Sequence, residues 1–138
     1  MYIYWRATYL NVRCTRQILR RRIGTMDIVI KRIYEEPSPD DGYRVLVDRL
    51  WPRGVSKDKA HLDEWAKDLA PSTEARRDFG HKPENFESFK QRYLNELDSN
   101  SEVYPELERM VAGAQKLQSS RVTLLYGAKS PTCNHAVI

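Results

Sequence analysis

Apolar positions along this chain fall into short alternating runs and longer helical stripes, in the order strand, strand, helices, strand. Ile28, Val29, Ile30 and Ile33 form the first β-branched run, and the turn-rich stretch Glu35–Gly42 separates it from the second. In that second run Val45 and Val47 alternate with Arg44, Leu46 and Asp48, the period of a buried or half-buried strand. Pro52 lacks a donor N–H and Gly54 permits a positive φ, so the strand ends before them. Residues 55–61 are polar and Lys-rich and read as a surface loop. Leu62, Trp65 and Leu69 fall at helical spacing and predict a short helix to Ala70, stopped by Pro71. Ser72 or Thr73 then caps a helix beginning TEARRDF, by accepting from the free N–H groups of its first turn. Pro83 suits the first position of a third helix with Phe86, Phe89, Tyr93, Leu94 and Leu97 on one face. A fourth helix, capped by Ser101, has Val103, Leu107, Met110, Val111, Ala114 and Leu117 as its buried stripe. Val122, Leu124 and Leu125 make a third strand.

This order predicts an α/β fold, a small layered domain with a short, mostly parallel sheet flanked by helices. If the second and third strands are parallel, their carboxyl ends coincide, and Asp48–Arg53 lies near Tyr126–Lys129. Folds of this class build ligand sites at that end.

Charge divides the chain. It carries 23 basic and 19 acidic residues, but Arg6, Arg13, Arg16, Arg20, Arg21 and Arg22 all precede Met26, where no acidic residue occurs. Removing those six leaves 17 basic against 19 acidic residues, so residues 26–138 have a formal charge of −2. A nucleic-acid function cannot rest on global charge and needs a local patch. Residues 1–25 read as a basic leader, disordered or upstream of a true start at Met26, and residues 26–138 as the single domain. The two cysteines, Cys14 and Cys133, have no CxxC spacing, and no segment has the roughly 20 apolar residues of a membrane span. Both observations suit a reducing cytoplasm.

The blocks IVIKRIYE (Ile28–Glu35), GYRVLVDRLWPRG (Gly42–Gly54), LDEWAKDLAPS (Leu62–Ser72), FKQRYLNEL (Phe89–Leu97), TLLYGAK (Thr123–Lys129) and NHA (Asn134–Ala136) carry a resemblance. From Met26 onward the chain resembles the YeaO-like DUF488 family of bacterial proteins. The resemblance implies a compact α/β domain and no particular reaction. The family pattern continues after NHA into a C-terminal helix, whereas this chain stops at Ile138. A sheet face left bare there would wait for a partner or a second copy.

Candidate chemistry gathers at the strand ends. Arg49, Trp51, Arg53, Lys129 and Asn134 are the expected ligand-binding residues, because arginines grip phosphate or carboxylate bidentately and Lys129 adds a point charge. Arg53 and Lys129, rather than Cys133, are expected to govern anion affinity. The rival arrangement is an internal ion pair between Asp48 and an arginine, with His135 as a capping side chain. Asp48 and His135 are the candidate general bases, with Cys133 or Ser72 as candidate nucleophiles, although none sits in a nucleophile signature. His61, His81 and His135 have no metal-ligand spacing, and neither a P-loop nor a complete GxGxxG is present. No cofactor is evident. The leading expectation is therefore a protein that binds a small anionic ligand or nucleotide, with an enzymatic role left open. Arg49, Trp51, Arg53, Lys57, Lys59, Arg76 and Arg77 supply the alternative, a nucleic-acid-associated or regulatory module. A structural or assembly protein is the third.

Overall fold

The structure, a computed structural model, describes the backbone of Arg21–Ile23 and all of residues 26–138. The expectations for residues 1–20, Cys14 among them, fall outside the described residues. Five strands form one sheet: β1 (Arg21–Ile23), β2 (Met26–Arg32), β3 (Tyr43–Leu46), β4 (Glu64–Trp65) and β5 (Arg121–Tyr126). The order across the sheet is β1-β2-β5-β3-β4, with β2, β5, β3 and β4 mutually parallel and β1 antiparallel at one edge. The sheet thus takes in three residues that precede Met26. The helices are α1 (Lys57–Ala60), α2 (Thr73–Phe79), α3 (Phe86–Ser99) and α4 (Val103–Lys116).

Strand alternation gives each sheet face its own core. Val45, Val47 and Val122 turn to one face and pack with Met26, Ala66, Leu69 and the α4 residues Met110 and Ala114. Leu46 and Leu125 turn to the other face and pack with Ile33 and Ala60 beneath Trp51, Val55, Leu62 and Trp65. A third cluster, Ala75, Phe79, Phe89 and Tyr93, joins α2 to α3 and takes in Cys133 and Ile138 from the end of the chain. The chain closes there in a single 3-10 turn, His135–Val137.

Five local expectations are corrected. Residues 57–60 form α1 rather than open loop, because the Ser56 hydroxyl accepts from Lys59 N at 3.2 Å. The helix expected over Leu62–Ala70 is instead β4 followed by a 3-10 turn at Lys67–Leu69. Here pairing overrides spacing: Asp63 N donates to Arg44 O (2.9 Å), Ala66 N donates to Leu46 O (2.8 Å), and the Asp63 carboxylate accepts from Arg44 N (2.8 Å). The start of α4 is satisfied by Asn100, whose side-chain oxygen accepts from Glu102 N at 3.0 Å, rather than by Ser101. Leu117 is 54% exposed because α4 ends at Lys116, which leaves it past the buried stripe. The Ser72 cap agrees with expectation, while Pro83 leads a 3-10 turn, Pro83–Asn85, that runs into α3 rather than being the first residue of α3 itself.

One polar network is built into the second face. Arg44, only 4% exposed, donates from both Nε (3.3 Å) and Nη2 (3.0 Å) to Ala60 O and pairs with Asp41. Lys31 Nζ reaches both Asp41 oxygens at 3.0 and 3.1 Å, and Thr123 Oγ1 donates to Asp41 O at 2.6 Å. Burial alone would raise the pKa of Asp41. The Ser38 N–H and the charges of Lys31 and Arg44 outweigh it and hold the carboxyl below its ordinary 3.8. Asp41→Ala leaves a buried guanidinium without its counter-charge and is expected to cost about 3 to 5 kcal/mol in urea unfolding. Because the folded-state value is depressed, the stabilisation from Asp41 is complete above the ordinary carboxylate range and is lost as pH falls through the depressed value. Melting curves should accordingly show the wild type's advantage over Asp41→Ala shrinking in acid.

Candidate functional site

Beyond Leu46 the β3 backbone stays in register for one more residue, with Val47 N donating to Leu125 O at 3.0 Å. Asp48 then ties together every strand end around it. Its Oδ2 accepts from Gly127 N at 2.8 Å, its Oδ1 lies 3.2 Å from His135 Nε2, and its carbonyl accepts from Trp65 Nε1 at 2.7 Å. These bonds join β3 to the end of β5, to the terminal turn and to β4. Gly127 is needed for the close approach, since a Cβ there would stand 2.9 Å from Asp48 Oδ2. From β2, Arg32 Nε donates to Ala128 O at 2.8 Å and anchors the same loop.

The arginine partner expected for Asp48 is absent among the described residues; an imidazole and a backbone N–H take its place. Arg49, the next residue, lies in a bend and is exposed. The tautomer of His135 follows from its contacts. Nε2 lies 2.9 Å from Val47 O as well as beside Asp48, and both partners are acceptors, so Nε2 carries the hydrogen. Tyr93 stands edge-on to the imidazole at 6.1 Å and donates its hydroxyl to Leu69 O. Burial, then the charges of Glu96 and Asp48, push that hydroxyl's pKa upward.

Beside this hub lies an open groove of about 270 Å³, walled by Arg49, Asp68, Ser72, Tyr93, Glu96 and Asn100. Ser72 and Glu96 are bound to each other: Glu96 accepts from Ser72 N at 2.9 Å and from Ser72 Oγ at 2.6 Å. Arg92 Nε stands 3.6 Å from the same carboxylate. Arg49 forms no ion pair among the described residues, which leaves its guanidinium available at the rim.

The other ligand-binding candidates lie apart from this groove. Trp51 lines a second hollow of about 250 Å³ with Lys57, Leu62, Asp63, Glu64 and Trp65, and its indole N–H donates to Val55 O at 2.7 Å. The Arg53 side chain is exposed while its carbonyl accepts from Tyr34 Oη at 2.9 Å. Lys129 is exposed. Asn134 is 1% exposed and faces protein, its oxygen accepting from Ala136 N (2.9 Å) and its nitrogen donating to Ser130 O (2.8 Å).

Chemically, the arrangement engages the residues that looked catalytic. Asp48 and His135 satisfy backbone groups, Ser72 Oγ caps α2 while donating to Glu96, and Cys133 packs into the phenylalanine cluster. No group of three His, Cys, Asp or Glu residues among the described residues could hold a metal. No helix among them is long and apolar enough to cross a membrane. Tyr93, Glu96 and Asn100 escaped the sequence reading of the site. Tyr93 carried only a helix-face signal, and no spacing links Glu96 to Ser72, 24 residues away.

A family model described as "Inactive DUF488-N3 subclade" matches residues 27–138. The chain is 43% identical to the uncharacterized protein YeaO of Escherichia coli K12, over 82% of this chain and 93% of that protein. It is 47% identical to the uncharacterized protein Mb3100c of Mycobacterium bovis and to Rv3073c of Mycobacterium tuberculosis H37Rv, over 59% of this chain and 68% of each. No solved structure matches the chain significantly.

The Asp48 hub makes a graded prediction. An asparagine at 48 has one oxygen, so it can satisfy Gly127 N–H or His135 Nε2–H but not both. Asp48→Asn should cost about 1 kcal/mol and Asp48→Ala, which loses both acceptors, about 2 to 3 kcal/mol, read from urea midpoints at constant m-value. Equal values for the two variants would contradict the assigned hydrogen bonds.

Proposed function

Because the chain belongs to the YeaO-like DUF488 family, in the subclade described as inactive, we propose that it binds a small anionic or phosphate-bearing ligand beside Arg49 and does no chemistry on it. The observation that carries this reading is the Arg49 guanidinium, at the rim of the groove and without an ion-pair partner among the described residues. Arginine matches phosphate and carboxylate geometry with two parallel donors. The groove's volume of about 270 Å³ lies at the small end for ligand sites and suits a compact anion. Its position outside the carboxyl ends of parallel strands is where this class of sheet holds ligands. The name given to the family model supports binding over catalysis, as does the engagement of Asp48, His135 and Ser72 in internal bonds.

Within this reading Arg49 leads and Arg53 and Lys129 assist. All three are exposed, but only Arg49 lines the groove, and an exposed charge outside it contributes about 1 kcal/mol or less. Thermal-shift titrations with inorganic phosphate, sulfate and phosphorylated metabolites are expected to show stabilisation by at least one of them. Arg49→Ala should weaken that binding by about one to two orders of magnitude, while Arg53→Ala and Lys129→Ala cost a few-fold and Cys133→Ser changes little. Stabilisation that survives Arg49→Ala, or that disappears only with Cys133→Ser, would overturn the reading. An oligonucleotide as a parallel probe separates the nucleic-acid alternative, which predicts steep loss of binding with salt and dependence on Lys57 and Lys59.

A further inference from the structure

A second cluster of ionisable groups sits away from the groove, where β4 meets α4. Glu106 of α4 is 4% exposed, and its carboxyl lies within hydrogen-bond reach of that of Glu64 on β4. Tyr43 Oη, on β3, donates to Glu64 Oε2 at 2.9 Å. The tyrosine ring is held against α4 at Gly113, where a Cβ would stand 2.3 Å from it. Arg109 serves both acids, bound to Glu106 and 3.9 Å from Glu64 Oε1. The other charged groups around the cluster are Asp63 before β4, Lys67 in the turn after it, with its ammonium 3.9 Å from the centre of the Trp65 ring, and Glu102 at the start of α4. Two carboxyls in contact share one guanidinium that is itself half exposed, so a proton between them relieves the repulsion.

We propose that one proton held between Glu64 and Glu106 fastens β4 to α4, and that the sheet edge, and through Trp65 the Asp48 segment, loosens when the proton leaves. The coupling is structural. β4 is two residues long, with Glu64 turned to α4 and Trp65 to the opposite face. Trp65 donates its indole N–H to Asp48 O, so a shift of β4 reaches the hub directly.

The sign follows from the direction of the shift. Burial, then the contact with Glu106, push the Glu64 carboxyl up to about 7, against the opposing effects of Tyr43 and Arg109. The fastening is therefore complete below 4.5, the ordinary value, and is lost as pH rises through about 7. Burial and Glu64 push the Tyr43 hydroxyl up to about 12, so it remains a donor throughout.

The test reads the two amides that hold β4 in place, Asp63 N on Arg44 O and Ala66 N on Leu46 O. Their hydrogen-exchange protection, corrected for the intrinsic pH dependence of exchange, should fall about tenfold or more between about pH 5.5 and 8.5. Glu64→Gln, a neutral side chain that still donates to Glu106 and accepts from Tyr43, should keep protection high at both values. Glu106→Gln should move the transition to lower pH. In the wild type, the Trp65 indole N–H resonance should shift with the same midpoint as the Glu64 carboxyl carbon. Constant protection in the wild type, an equal fall in Glu64→Gln, or a Trp65 signal that ignores the Glu64 transition would each overturn the proposal.

Discussion

The carboxyl-end face of this domain depends on Asp48 meeting three donors from three different segments. Its side chain takes the first N–H after β5 and the imidazole N–H of the terminal turn, and its carbonyl takes the indole N–H of β4. None of the three has a strand ladder to satisfy it there, and an unpaired buried donor costs about 1 to 3 kcal/mol. One acidic residue thereby sets where β3, β4, β5 and the end of the chain stand relative to one another. Arg49 inherits its direction from that anchoring, and so does the wall of the groove.

Two carboxyl clusters lie in the sheet layer and behave in opposite ways. Asp41 faces two cations and a backbone N–H, and its charged form is favoured despite burial. Glu64 faces another carboxyl, and its neutral form is favoured. Burial acts in the same direction on both, so the partners decide the outcome. The first cluster holds the polar part of one face rigid across neutral pH. The second makes the β4 edge sensitive to pH in the range where cells differ.

How much of this was legible in the sequence depended on whether the signal was local. Alternation at Val45 and Val47, the Phe89 and Tyr93 stripe and the Ser72 cap are local, and each appears in the structure as read. Trp65 was read as helical because its spacing from Leu62 and Leu69 is helical, yet the open edge of β3 offered backbone partners that no spacing encodes. The neighbourhood of Asp48 and the Gly127 loop followed from parallel strands alone, whereas the identity of its partner did not. Arg49 is the nearest cation in sequence, but it lies in a bend beyond the strand and is exposed, and the imidazole comes from 87 residues further on. Glu64, Glu106 and Tyr43 looked like ordinary surface and strand residues because their meeting is purely tertiary.

The claim that Asp48 is a structural anchor rather than a free base is tested most directly at Gly127. Its amide lies beyond the last paired residue of β5, and in an open loop it would exchange with solvent almost as fast as an unstructured peptide. Hydrogen exchange followed by NMR should instead find it protected to a degree comparable with the strand amides of β5, with that protection lost in Asp48→Ala. A Gly127 amide that exchanges freely in the wild type would contradict the account.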